Sequence, residues 1–176
     1  MLPMLLAIVF IALLFIVVII GQPDEFAVTR SVKMAAPPEK IFPNVNELRR
    51  WEAWSPWAKL DPNCKMTYDG PPAGIGASYA WAGNRKVGEG RLTIIESRPA
   101  ELIRIKLDFL TPFKATNTAE FAIQPEGSQT GVTWSISGKN NFMSKAFGLF
   151  MNCDKVVGGD FEKGLAAMKT IAEAAA

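Results

Sequence analysis

KAFGLFMNCDKVVGGDFEKGLAAMKTIAEA, running from Lys145 to Ala174, is the stretch whose period decides the fold. Phe147, Phe150, Met151, Asp154, Val157, Phe161, Leu165, Met168 and Ala172 recur every three or four residues, a spacing that places them on one stripe of an α-helix. The period predicts one long amphipathic helix over this range, with Gly158-Gly159 as the point where it bends or loosens. Such a stripe needs an apolar surface to lie on, so the question passes to what precedes it.

Upstream the period is two. Phe26, Val28, Arg30, Val32 and Met34 alternate with Ala27, Thr29, Ser31 and Lys33, the pattern of a strand with one covered face. Ala35-Ala36-Pro37-Pro38 ends it, and Ile41, Phe42, Val45 and Leu48 follow at helical spacing, with a second short helix around Trp51, Trp54 and Trp57. Strands are then expected at 65–68, 77–82, 87–95, 102–109, 115–123 and 131–138, separated by turn sequences such as Gly83-Asn84-Arg85-Lys86 and Glu126-Gly127-Ser128. Links this short join antiparallel neighbours, because a parallel pair needs a much longer crossover. The expected class is α+β: an antiparallel sheet whose apolar face is covered by the last helix.

Before the sheet, Met1 to Ile20 reads MLPMLLAIVFIALLFIVVII, a run without a charged residue. At 1.5 Å per residue it reaches about 30 Å, the thickness of the hydrocarbon layer. No Lys or Arg precedes Arg30, and the run ends in Val17-Val18-Ile19-Ile20 without a small-residue cleavage site, so an uncleaved single-pass anchor is expected in preference to a signal peptide. The organisation expected is an anchor over 1–20, a linker over 21–25 and one domain over 26–174. Arg30, Lys33 and Lys40 lie downstream with no basic residue upstream, which leans towards a cytoplasmic domain.

Composition limits the chemistry. The chain of 176 residues has no histidine, which excludes Ser-His-Asp and Cys-His catalysis and imidazole metal ligation. Nineteen basic against 17 acidic residues give a net charge of +2, and the basic residues are scattered in pairs, so nucleic acid is not expected as a partner. Cys64 and Cys153 form no CxxC motif and are expected as free thiols. Gly74-x-Gly76 and Gly88-x-Gly90 do not lead from a strand into a helix, so neither is a dinucleotide fingerprint. No cofactor and no metal site are expected.

The order strand, two short helices, six more strands and a long helix resembles the helix-grip fold, a curved seven-stranded antiparallel sheet around a long C-terminal helix. The words Phe26-Ala27-Val28-Thr29-Arg30-Ser31, Ala36-Pro37-Pro38-Glu39-Lys40-Ile41-Phe42, Trp51-Glu52-Ala53-Trp54-Ser55-Pro56-Trp57 and Gly74-Ile75-Gly76-Ala77-Ser78-Tyr79-Ala80-Trp81 are similar to the polyketide cyclase/dehydrase and lipid-transport group of the START-like superfamily (SRPBCC). So is Phe161-Glu162-Lys163-Gly164-Leu165 with Lys169. The resemblance implies a cavity between the concave face and the helix, binding a lipid, sterol, polyketide or other apolar molecule. It carries no catalytic motif that transfers residue by residue.

Alternation turns Tyr79, Trp81, Leu92, Ile105, Leu107, Phe121 and Trp134 inward, and the helix is expected to oppose them with Phe147, Phe150 and Met151. Those ten are the candidate ligand-binding residues. Period identifies a face and does not distinguish a hollow interior from a filled one. Trp54 and Trp57 are either a gate or part of a hydrophobic plug beneath the short helices. Arg30 and Asp154 are ionised groups on apolar faces, expected to pair, to reach a ligand or to reach solvent. Three functions stay open: membrane-tethered binding of an apolar molecule, a cyclase- or dehydratase-like enzyme using Asp154 or Tyr79, and an interaction protein with a filled core.

Overall fold

The computed structural model describes residues 2–174. Helix α1 (Leu2–Ile20) leads into strand β1 (Glu25–Met34), which is followed by α2 (Pro38–Asn46), a 3-10 turn (Leu48–Arg50) and α3 (Trp51–Trp54). Six strands follow: β2 (Lys65–Asp69), β3 (Ser78–Ala82), β4 (Glu89–Arg98), β5 (Leu102–Thr111), β6 (Ala115–Glu126) and β7 (Gln129–Lys139). Two helices close the chain, α4 (Phe142–Gly148) and α5 (Cys153–Ala174). The seven strands form one sheet in the order β1-β7-β6-β5-β4-β3-β2, every pair antiparallel. This is the helix-grip arrangement, with β1 carried across to pair with the last strand.

Register turns the alternation of single strands into rows across the concave face. Ile94, Ile105, Ala119, Ile136 and Val28 form one row, all buried. Ile103, Phe121, Trp134 and Arg30 sit in the next row towards α2. In the other direction a row runs Tyr68, Tyr79, Leu92, Leu107, Asn117, Gly138 and Phe26, and beyond it Met66, Trp81, Gly90, Phe109 and Ala115. These last two rows lie at the end of the sheet where β1 leaves α1 and β7 enters α4.

Helix α5 lies along β1 and against α2 and α3, burying Phe161, Leu165, Met168 and Ala172. Two glycines let it come close. A Cβ at Gly164 would stand 2.9 Å from the Trp134 ring and 3.1 Å from Pro56, and one at Gly158 would run into the Arg30 guanidinium. Gly158-Gly159 therefore does not interrupt the helix, which continues through both; Gly158 gives Arg30 its seat.

The single helix expected from Lys145 to Ala174 is two helices. The Asn152 side chain accepts from the Lys155 backbone N–H at 2.9 Å and starts α5, just as Asn141 accepts from the Ser144 N–H at 2.8 Å and starts α4. Each cap satisfies a donor that the first helical turn leaves free, so the chain restarts its helical phase at residue 153.

Candidate functional site

At the centre of the grip the concave face is filled by aromatic rings. Trp134 lies face to face with Phe161 at 3.9 Å between centroids and against Phe121 at 4.7 Å, while Trp51 and Trp54 meet it edge-on at 6.3 and 5.5 Å. The Trp51 indole donates to the Val45 carbonyl at 2.9 Å and that of Trp54 to the Asn44 carbonyl at 2.8 Å, which ties the plug to α2. Trp54 is 2% exposed and sits within the plug, its indole spent on a backbone acceptor inside the core. Trp57, by contrast, is 37% exposed and lies edge-on to Trp134 at 5.6 Å and to Phe161 at 6.2 Å, at the rim of the same cluster.

Burial relaxes towards the α1 end of the sheet. Tyr79, Trp81, Leu107, Phe109 and Phe26 are half-buried, next to buried Leu92. Tyr79 touches Tyr68, Trp51 and Trp81 at 5.7 to 6.5 Å, and Trp81 meets Phe109 edge-on at 5.8 Å. Together these side chains make an apolar floor that is partly open.

Two polar groups interrupt this surface. Asn117 is 8% exposed in the row of Leu107 and Phe26, and its side chain makes no hydrogen bond among the described residues. Trp134 Nε1 is fully buried and likewise has no acceptor. Buried donors are almost always paired, so an orphan in the plug marks a place where an acceptor is missing from the protein itself. The sequence reading missed Asn117, although its position in phase with inward-facing Ala119, Phe121 and Ile123 was a usable signal.

The candidates from the last helical region are not on this surface. Phe147, Phe150 and Met151 are 48%, 77% and 54% exposed, because the break before Asn152 takes them off the stripe that α5 presents to the sheet. Phe150 instead lies 6.2 Å from Phe15 of α1, and Phe147 lies 5.6 Å from Phe113 in the β5–β6 turn. Their helical spacing had put them in phase with α5; the reset at Asn152 is what removes them.

Arg30 and Asp154 do pair. The guanidinium donates to both Asp154 carboxylate oxygens at 3.0 Å and to the Asp154 carbonyl at 3.1 Å, and its Nε donates to Glu162 at 2.7 Å. Hydrogen bonding to Arg30 holds the Asp154 carboxyl below the usual carboxylate range, and its two acidic partners hold the guanidinium firmly charged. Tyr79 is shifted the other way: burial pushes its phenol above the ordinary tyrosine value. The two catalytic candidates stand apart, with four strands of the sheet between β1, where Asp154 docks, and β3, which carries Tyr79. They are a carboxylate hydrogen-bonded to Arg30 at one edge of the sheet and a phenol among apolar side chains on β3.

Two depressions open on the surface. One of about 220 Å³ is lined by Leu48, Arg49, Tyr68 and the 69–72 loop, where the Arg49 guanidinium sits 4.2 Å above the Tyr68 ring. The other, about 440 Å³ and widely open, is formed by residues 148–153. Among the described residues no cluster of acidic or cysteine side chains could hold a metal ion.

The sheet, its register and the helix lying in it define an SRPBCC-type helix-grip protein. Residues 25–173 match the family described as polyketide cyclase / dehydrase and lipid transport, and the chain belongs to that family. Solved structures share the fold at low identity. A protein named CV1439 from Chromobacterium violaceum is 13% identical with a TM-score of 0.59, over 86% of this chain and 99% of that one. The Aha1 dimer from Colwellia psychrerythraea is 16% identical with a TM-score of 0.56, over 84% and 96%. Mll3558 from Rhizobium loti is 17% identical with a TM-score of 0.60, over 82% and 96%. No curated protein matches the sequence.

Proposed function

We propose that this protein is a membrane-tethered module that binds an apolar small molecule or lipid on the concave face, at the end where α1 enters the sheet. The observation that carries the reading is the change in burial along the face: the plug around Trp134 is closed, while Tyr79, Trp81, Leu107 and Phe109 form a half-buried apolar floor beside the unpaired amide of Asn117. A floor of this kind, mostly apolar with a polar group to orient a ligand, is the usual make-up of a small-molecule site. The family description, which includes lipid transport, supports the ligand class. The tether is α1, where Pro3–Ile20 is long and apolar enough to cross a bilayer and is almost wholly exposed.

The filled centre favours a second reading, an interaction protein whose core is complete without a ligand. Fluorescence separates the two, because all five tryptophans lie in the domain and none in α1. Titrating the full chain in detergent with a dibrominated fatty acid should quench them saturably, and Leu107→Lys, which puts a cation on the floor, should weaken that binding at least tenfold. Quenching that is absent, or that is linear and the same in both proteins, supports the complete core.

A further inference from the structure

Five of the largest exposed apolar side chains outside α1 fall in one short segment: Phe142 (49%), Met143 (46%), Phe147 (48%), Phe150 (77%) and Met151 (54%). Phe113 (49%) extends the surface through its contact with Phe147. A soluble surface rarely gathers so much exposed apolar area in one place without a partner.

The segment is built against the end of α1. Ile19 is 2% exposed, and the Lys145 ammonium donates to the Ile20 carbonyl at 3.4 Å and to Asp24 at 2.5 Å, which fixes α4 level with the last turn of α1. Phe150 reaches further, to Phe15. Phe15 lies five residues before Ile20, about 7 Å along the helix axis. A ring touching it from outside therefore sits below the helix end, at the depth of the apolar run, while Lys145 marks the polar boundary above it. Around the patch Lys114, Lys139 and Lys155 have no ion-pair partner among the described residues, against Glu25 and Glu89 as the unpaired acids at the same end of the sheet.

We infer that α4 and the 149–152 turn are a second membrane contact, a wedge that enters the leaflet beside α1 with Phe150 and Met151 among the acyl chains and the flanking lysines at anionic headgroups. The inference rests on α1 being a membrane span and adds what the tether alone does not require: a fixed seating of the domain. The register makes the seating consequential, because the half-buried rows of Tyr79, Leu107, Trp81 and Phe109 lie at this same end of the sheet. The open end of the concave face is then held at the bilayer surface, within reach of an apolar molecule that leaves the leaflet without crossing water. Interfacial aromatic side chains and lysines are the residue types that such a boundary favours.

The test uses the full chain with Cys64 and Cys153 changed to Ser and one new cysteine at a time, Phe10→Cys, Phe150→Cys or Ile75→Cys, each labelled with an environment-sensitive fluorophore. The proteins are placed in vesicles of three parts phosphatidylcholine to one part phosphatidylglycerol, with and without lipids that carry a quencher on the acyl chain. Labels at 10 and 150 should each lose most of their emission to the quencher, and the label at exposed Ile75 should keep its own. Quenching at 10 with none at 150 overturns the wedge and leaves the tether intact. No quenching at 10 or 150 shows that α1 does not sit in the bilayer, and both readings fall.

Discussion

Gly158 and Gly159 are adjacent in sequence and opposite in consequence. A Cβ at 159 meets nothing, so Gly159→Ala should gain the helix propensity that glycine lacks, up to about 1 kcal/mol. Gly158→Ala gains the same propensity but has to displace a guanidinium held by two carboxylates, so it should melt below Gly159→Ala. Equal melting temperatures would mean that Arg30 does not occupy that seat. The ion pair itself has a direction in pH. Asp154 has its folded pKa depressed, so its contribution is present above the ordinary aspartate value, near 4, and is lost as the pH falls through the lower folded one. Asp154→Asn should melt slightly lower at neutral pH, by about 1–3 °C for so exposed a pair, and should lose less than the parent on acidification towards pH 3. A variant with the parent's full acid sensitivity would assign that sensitivity to other carboxyls, such as Asp108, whose hydrogen bonds to Thr116 and Lys106 lower it too. That Arg30 needed a partner was readable from its place on an apolar strand face, and Asp154 from its place on an apolar helical stripe. Which tryptophan was buried was not readable: Trp54 and Trp57 are chemically alike and three residues apart, and only the backbone acceptor on Asn44 and the cover of α5 distinguish them.

Strands were the legible elements, because a period of two and short turns leave little freedom in pairing once one face must be covered. The last helix was half legible. Its stripe from Phe161 to Ala172 faces the sheet as the spacing implied, but Phe147 and Phe150 happened to continue the same phase across a real break. The signal for that break was Asn152, an amide placed three residues before the N–H that it caps. Asn152→Ala should therefore cost about 1 kcal/mol and raise hydrogen exchange selectively in the first turn of α5; unchanged exchange there would remove the cap from the account. Packing between elements is tested at Gly164, where the neighbours are the rigid rings of Trp134 and Pro56. Gly164→Ala should destabilise by roughly 1–3 kcal/mol even though alanine is the better helix former, and a stabilised variant would show that α5 rides higher over the sheet than described.

At the scale of the molecule, whether the grip is hollow or filled depends on side-chain volumes and on the height of α5 over the sheet, neither of which a hydrophobic period encodes. The structure answers with a gradient: a filled aromatic centre around Trp134 and a looser floor towards the α1 end. Trp134→Ala should thus behave as a core truncation, losing about 3–5 kcal/mol, whereas Leu107→Lys, on the half-buried floor, should leave the fold largely intact and act on binding. Whether this floor holds an apolar molecule is read by native mass spectrometry of the full chain purified from its host in detergent. The parent should carry a discrete additional mass of one small apolar molecule, absent from a Leu107→Lys protein that still melts cooperatively. A parent with no retained mass, or the same mass on both proteins, would contradict binding on the floor.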